Sequence, residues 1–166
     1  MSPCRLRDQA SGAKGVDESL AMALDHAGFD TRSIENPLTT LKLLDGFSRD
    51  EQLAMLRLSL DLPLDPDDLQ ATMIALYTKG RIAALWEYGR WVSLRYGGPT
   101  AKTDFARLEK ALLSDRNSNW VKTIEQEATG KTVFIAVGAG HLPGKAGLLN
   151  LLAKRGYAIT RLPFTP

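Results

Sequence analysis

The stretch "TVFIAVGAGHLPGKAGLLNLLAKRGYAITRLPF", from Thr132 to Phe164, carries the strongest secondary-structure signals in the chain. It begins in a continuous apolar, β-branched run, "KTVFIAV" at 131–137, which is typical of a strand buried on both faces. A glycine-rich turn follows, and then an amphipathic helix that stops at Gly156 and a second strand at 157–164. Such a strand–helix–strand unit predicts two parallel strands with a right-handed crossover.

Helical signals dominate the centre of the chain. The sequence "SRDE" at 48–51 fits a capping box, and Asp65 followed by Pro66 marks the start of another helix. Upstream, the short stretch "DTRSIE" is interpreted as a strand ending at Glu35. Together these patterns predict an α/β fold, in which a strand–helix–strand sheet layer carries a large all-helical insertion at about 38–130 and the chain is predominantly helical overall.

The composition is that of one globular domain. The 166 residues are 44% hydrophobic, and the formal net charge of +2 includes no long block of one sign, so nucleic-acid binding is not expected. The single cysteine, Cys4, excludes an internal disulfide and a cysteine-based zinc cluster. No run reaches about 18 apolar residues, so no transmembrane segment is expected. We expect residues 1–14 to form a flexible leader and residues 15–166 to form a single domain.

The turn "GAGHLPGK" invites a phosphate-binding interpretation, and two versions of it fail. A dinucleotide fingerprint would need a third glycine where Pro143 stands. A P-loop would need a glycine at Ala139 and a hydroxyl at Ala146. No nucleotide cofactor is therefore expected.

A third interpretation concerns His141, which would lie at the carboxyl end of a buried strand, where ligands gather in open α/β sheets. Gly138 and Gly140 would let the backbone turn and expose the imidazole. A helix predicted to begin near 143–144 would place its positive end nearby and favour neutral imidazole, as a metal ligand or general base requires. From spacing alone, an ordinary polar turn residue is an equally good interpretation.

The motifs around His141 resemble the C-terminal signature of the TraB/GumN family, a group that includes the Tiki proteases. The matching residues are Gly138-Ala139-Gly140-His141, Leu142-Pro143-Gly144, Gly147-Leu148-Leu149 and Arg155-Gly156-Tyr157. "GVDESL" at 15–20, "SIE" ending at Glu35, and "LLSDRNSNWVKTIEQ" at 112–126 are similar to further elements of the family in the same order.

The resemblance implies a metal-dependent, peptidase-like hydrolase. It assigns catalytic roles to His141, Glu35 and Arg116, and it makes His141 and Glu35 ligands of a divalent ion such as manganese, cobalt or zinc. Its supporting residues would be Gly138, Gly140, Asn117 and Asp17. A bound ion would activate water and polarise a carbonyl, and Arg116 would bind a carboxylate or a developing oxyanion.

Each of these residues also has a structural interpretation. Glu35 could be part of a structural ion pair, and Arg116 and Asn117 could simply begin a helix after a cap-like Ser114. Asp17 fits a helix cap equally well. His26 is interpreted as a residue of the last helical turn, where the helix dipole favours it.

The family has another G-x-x-H motif near its N-terminus, which this chain lacks, so the sequence looks like the C-terminal half of the family domain. We therefore expect a homodimer or a complementing half-domain as partner, with a peptide as substrate. The alternative is a non-catalytic interaction module, acting in peptide-signal inhibition or polysaccharide biosynthesis as some relatives do. As it stands the sequence reads as cytoplasmic, whereas a fragment of an exported relative would be periplasmic or membrane-associated.

Overall fold

The computed structural model describes residues 14–163, with Leu44 as backbone only. The predicted leader at 1–14 therefore lies, except for Lys14, outside the described residues. The chain divides into two compact units, one ending at Ile34 and the other beginning at Glu35.

The first unit contains helix α1, Val16–His26. The residue at its N-cap position is Gly15, and Asp17 lies in the first turn. The helix ends at Gly28, which has a φ of +75°, and the amide of Phe29 donates to the carbonyl of Leu24 as in a Schellman ending. The predicted stop at Gly28 is confirmed, and Asp17 is not the cap residue.

The second unit contains the other helices. They are α2 (Thr39–Asp45), α3 (Arg49–Asp61), α4 (Pro66–Thr78), α5 (Ile82–Tyr96), α6 (Ala101–Glu109), a π-helical segment (Lys110–Ser114), α7 (Asp115–Glu127), a 3₁₀ turn (Ala139–His141) and α8 (Leu148–Lys154).

Two helix starts follow their predicted chemistry. The Ser48 side chain accepts from the amide of Glu51, and the Glu51 carboxylate accepts from the amide of Ser48, so the capping box at α3 is confirmed. Asp65 caps α4 through the amide of Asp67, with Pro66 at the first helical position. Both starts depend only on residues within one turn, which is why local sequence predicts them.

Helix α6, the π-helical segment and α7 form one continuous helical path, because the residues at both junctions keep right-handed helical dihedrals. At the end of the π-helical segment the amide of Asp115 bonds to the carbonyl of Lys110, five residues back. Ser114 lies inside this path and makes no side-chain cap, so its predicted capping role is wrong.

The apolar core of the second unit lies where this long path meets α5 and α8. Its buried members are Phe47, Val92, Ala101, Trp120, Val121, Ile124 and Leu148. Two polar side chains, Asn117 and His141, are buried with them. A buried polar side chain is costly unless it is hydrogen-bonded, so this pair marks the place to look for function.

The predicted sheet layer is absent from the described residues, where all regular secondary structure is helical. Residues 30–35, 131–137 and 157–164 were each predicted to form, or to contain, a strand. None of their described residues does, and Phe164 lies outside the described residues. A strand exists only when its backbone pairs with another strand, and residues 132–137 form no backbone hydrogen bond with any described residue. The α/β prediction is therefore wrong for this part of the chain.

Within residues 14–163, no helix combines the length and the apolar character needed to cross a membrane.

Candidate functional site

The carboxylate of Glu35 is held by two side chains of α7. Arg116 donates from Nη2 to Oε1 at 2.6 Å and from Nε to the same oxygen at 3.1 Å. Trp120 donates from Nε1 to Oε2 at 2.9 Å. The side chains of Glu35 and Arg116 are each 18% exposed, so this ion pair is largely shielded from water.

These contacts keep Glu35 ionised. Burial alone would raise the pKa of the Glu35 carboxyl, but the hydrogen bonds from Arg116 and Trp120 and the positive charge of Arg116 outweigh it, so the pKa lies below its ordinary value. At neutral pH the side chain is therefore a carboxylate and not a proton donor.

The guanidinium of Arg116 is fixed by the π-helical segment as well. Its Nη1 donates to the carbonyl of Leu112 at 3.2 Å, and its Cζ lies 4.8 Å from the centre of the Trp120 ring. Single-turn π-helices in continuous helices are frequent at functional sites. These contacts to described residues use three of the five N–H groups of Arg116, so two are left for a ligand.

The residue directly after Arg116 in α7 is Asn117, which is 1% exposed. Its Nδ2 donates to the carbonyls of His141 at 3.2 Å and Ala146 at 2.8 Å. Its Oδ1 lies 2.7 Å from Nδ1 of His141. A single amide side chain therefore ties α7 to both ends of the turn that carries His141.

This arrangement determines the tautomer of His141. Since two carbonyls already accept from Nδ2 of Asn117, the atom facing the imidazole is the amide oxygen, which can only accept. Nδ1 of His141 must therefore carry a hydrogen, and Nε2 of the neutral ring keeps its lone pair. No described residue hydrogen-bonds to Nε2, and that atom is not sealed from solvent.

The pKa of His141 is lowered from its ordinary value. Burial is the largest cause, since His141 is only 8% exposed as a residue, and the positive charge of Arg116 adds to it while Glu35 opposes it. The helix dipole invoked from the sequence is not needed, because α8 begins at Leu148, later than the predicted start at 143–144. The imidazole is therefore neutral at neutral pH, as a ligand or general base must be.

The Trp120 ring connects the two halves of this cluster. Its centre is 4.3 Å from that of the His141 ring, with 38° between the planes, and the Arg116 guanidinium lies against it as well. We call Glu35, Arg116, Asn117, Trp120 and His141 the His141 cluster. It combines an ion pair, a fixed neutral imidazole and an aromatic ring that contacts both.

The turn at 138–147 requires glycine at positions other than Gly138 and Gly140, the two that the sequence pattern indicated. Gly138 has a φ of −56°, and a methyl group added at Gly140 would meet nothing within 4 Å. At Gly147 an added Cβ would lie 2.1 Å from the carbonyl oxygen of Pro143, and Gly144 has a φ of +89°. The close packing that presents His141 therefore depends on Gly144 and Gly147.

A cavity of about 330 Å³ opens beside the cluster. Asn117 and Gly140 form part of its wall, together with Trp86, Glu109 and the loop that contains Lys145. Its volume is at the lower end of the range for sites that bind small molecules. A ligand in this cavity would touch the side chain that orients His141.

The cluster brings together residues that are far apart in the chain. Along the chain these residues follow the order of the family signature described above. The model of the TraB/PrgY/gumN family matches residues 1–161. The chain belongs to this family. No curated protein and no solved structure matches it. The match establishes membership in the TraB/PrgY/gumN family and no finer function.

Most of the residues predicted for the site come together. The structure places His141, Glu35, Arg116 and Asn117 in one cluster, with Gly138 and Gly140 in the adjoining turn. Asp17 lies in α1, within the other compact unit. His26 is the last residue of α1, as predicted.

The donor atoms of the cluster do not match the needs of the divalent metal ion that the resemblance implies. Both oxygens of Glu35 already accept hydrogen bonds from Arg116 and Trp120, and Nε2 of His141 is the one metal-ligating atom of the cluster without such a contact. Among residues 14–163 no three His, Cys, Asp or Glu side chains form a group that could hold a metal ion. Catalytic metal sites use about three protein ligands, so the described residues alone do not fit a metal ion.

Trp120 was not among the predicted site residues, and Gly147 was matched to the family signature without a role in the site. Trp120 is buried, and its Nε1 also donates to Glu35 across 85 positions of sequence. An aromatic residue that follows the Arg-Asn pair by one helical turn was the available signal, since residues at that spacing share a helix face.

Proposed function

We propose that the His141 cluster is part of a hydrolytic site in which His141 acts as the general base. The observation that carries this proposal is the Asn117–His141 hydrogen bond, which fixes the Nδ1–H tautomer and leaves the Nε2 lone pair for a substrate or water. The lowered pKa of His141 supports the same role, because a base must be unprotonated to accept a proton.

In the proposed reaction, Nε2 of His141 removes a proton from water as its oxygen attacks a carbonyl carbon. The two N–H groups of Arg116 that are not used within the cluster would bind the oxygen on which negative charge develops. The imidazolium then returns the proton to the leaving group, so that one water is consumed for each bond broken. Glu35 holds Arg116 in place and balances its charge throughout.

The proposed substrate is a peptide bond, which is the class that the resemblance to the Tiki proteases implies. A metal ion bound here would need ligands from beyond the described residues, and no step is assigned to one. The proposal therefore depends on the imidazole and the guanidinium alone.

The test is peptide hydrolysis by matched histidine variants. A quenched fluorescent peptide library would be incubated with the wild type, His141→Gln and His26→Gln, with and without manganese, cobalt or zinc chloride. We expect cleavage by the wild type and by His26→Gln, and none by His141→Gln. Equal cleavage by His141→Gln, or no cleavage by any protein under any condition, would overturn the proposal.

A second candidate function is a non-catalytic interaction module, as the family resemblance also allows. The observation that favours it is the complete use of the Glu35 carboxylate by Arg116 and Trp120, which leaves a structural ion pair and not a metal ligand. In that case the labelled peptides should bind without being cleaved. Fluorescence anisotropy would then give the same affinity for the wild type and for His141→Gln.

A further inference from the structure

Residues 132–137, "TVFIAV", have the apolar composition of a buried strand, but most of them are exposed to solvent. The segment carries no charged side chain. Phe134 is 73% exposed and Ile135 is 39% exposed. None of its backbone groups hydrogen-bonds to a described residue. An apolar, unpaired backbone of this kind is a ready template for another strand.

The segment is partly buried on one face only. Val133 and Val137, which share a strand face, are half-buried, whereas Thr132, Phe134, Ile135 and Ala136 are exposed. Side chains of a strand point alternately to opposite faces. The segment therefore already rests one face on the second unit and leaves its other face and its backbone edges available.

The other apolar stretch that was predicted to form a strand, 157–163, is less suited to pairing with a second strand. It contains Arg161 and Pro163, and charged residues and proline are the means by which natural proteins protect strand edges. Residues 132–137 have no such protection. The edge most open to pairing is thus the one that leads directly into the 3₁₀ turn of His141.

We propose that residues 131–137 pair antiparallel with the same residues of a second copy of this chain, with Phe134 opposite Phe134 on a two-fold axis. Two identical segments without acidic or repeated basic side chains pair without like charges facing each other, because Lys131 then lies opposite Val137. A two-fold interface of this kind is self-complementary. The proposal does not depend on the hydrolytic function.

The alternation selects this register. Residues directly opposite each other lie on the same face of the ribbon. With Phe134 opposite itself, Val133, Ile135 and Val137 of both copies share one face, the face that carries the two half-buried valines. A shift by one residue would set the half-buried Val133 opposite the exposed Ala136, and one of the two strands would then turn its valines to solvent. Among the registers that preserve the faces, this one also pairs every residue from 131 to 137.

The first test is the oligomeric state. Sedimentation velocity of the Cys4→Ser protein over a range of concentrations should show a monomer–dimer equilibrium. The double variant Phe134→Pro/Ile135→Pro in the same background should be monomeric, because alternate residues donate to the partner strand and the two prolines remove a ladder donor in either arrangement. Circular dichroism should show unchanged helix content. A monomer of the Cys4→Ser protein at every concentration, or a dimer that survives the double proline variant, would overturn the proposal.

The second test reads the register by disulfide formation. In the Cys4→Ser background, Phe134→Cys should oxidise to a cross-linked dimer, because the two Cβ atoms would be about 5 Å apart. Ala136→Cys is the matched control, since its counterpart would lie four positions, or about 13 Å, along the ribbon. Equal cross-linking by both variants, or growth into larger aggregates in place of a dimer, would contradict the proposed pairing.

Discussion

Oδ1 of Asn117 lies 2.7 Å from Nδ1 of His141, while Nδ2 of the same side chain donates to the carbonyls of His141 and Ala146. One amide therefore satisfies three polar groups and decides which nitrogen of the imidazole carries the hydrogen. Since Asn117 and His141 are both buried, this is the polar contact on which the geometry of the cluster depends.

Replacing Asn117 by aspartate should raise the pKa of His141. The new carboxylate still accepts from Nδ1–H, but its negative charge stabilises imidazolium. Because it no longer donates to two carbonyls, the free energy of unfolding should fall by about 1–3 kcal/mol. NMR titration of the imidazole and urea denaturation would measure the two effects. Asn119→Asp, at an exposed position of the same helix, is the control. An unchanged pKa in Asn117→Asp would contradict the assigned hydrogen bond.

Breaking the Glu35–Arg116 ion pair should destabilise the protein more than breaking an exposed pair. Glu35→Gln leaves the guanidinium of Arg116 largely shielded and uncompensated, and we expect a loss of about 2 kcal/mol. The control is Glu87→Gln, because the Glu87–Arg90 pair is exposed, and its loss should stay below about 1 kcal/mol. Equal losses in chemical denaturation would show that Glu35 is only a surface residue.

Acid should destabilise the protein through His141 first and Glu35 second. The folded pKa of His141 lies below its ordinary 6.5, so its contribution to stability is complete above that pH and is lost as the pH falls through the folded pKa. The folded pKa of Glu35 lies below 4.5, so its contribution is lost at still lower pH. Urea denaturation from about pH 7 to pH 3 should show both losses. His141→Gln should remove the first and keep the second, and a stability that rises on acidification would contradict both shifts.

Replacing the glycines of the turn by alanine should have unequal effects on the free energy of unfolding. Gly147→Ala would force its Cβ against the carbonyl of Pro143 and displace the turn, whereas Gly140→Ala has open space. We expect the first to lower the unfolding free energy by about 1–3 kcal/mol and to shift the His141 NMR signals. The second should leave both nearly unchanged. A neutral Gly147→Ala would show that the turn is less tightly packed than described.

Titration with manganese, cobalt or zinc should reveal no tight stoichiometric site. His141 offers one ligand, and about three are needed. Calorimetry on the wild type, with His26→Gln as control, would measure this. A tight site that disappears in His141→Gln would show that residues outside 14–163 complete a metal centre.

Local chemistry made part of this fold predictable. The helix starts at Ser48 and Asp65 and the stop at Gly28 each depend on neighbours within one turn. The strand predicted at 131–137 failed for the opposite reason, since a strand depends on a partner and its own residues cannot report whether one is present.

The candidate site, like the fold, could be predicted from the sequence only in part. The resemblance placed His141, Glu35, Arg116 and Asn117 together, and the structure does so too. The bond from Trp120 to Glu35 spans 85 residues, and the packing at Gly147 depends on how the turn folds back on itself. Spacing places Trp120 on the same helix face as Arg116, but it does not predict either contact, because both arise from tertiary packing.

The state of the His141 ring tests the account most directly. The chain has only two histidines, so in a His26→Gln variant every imidazole signal belongs to His141. Long-range ¹H–¹⁵N NMR spectra, recorded over a pH titration, report both the tautomer and the pKa. We expect the Nδ1–H tautomer and a pKa of His141 below 6.5. An Nε2–H tautomer, or a pKa at or above that value, would contradict the claim that Asn117 presents Nε2 of His141 as a base.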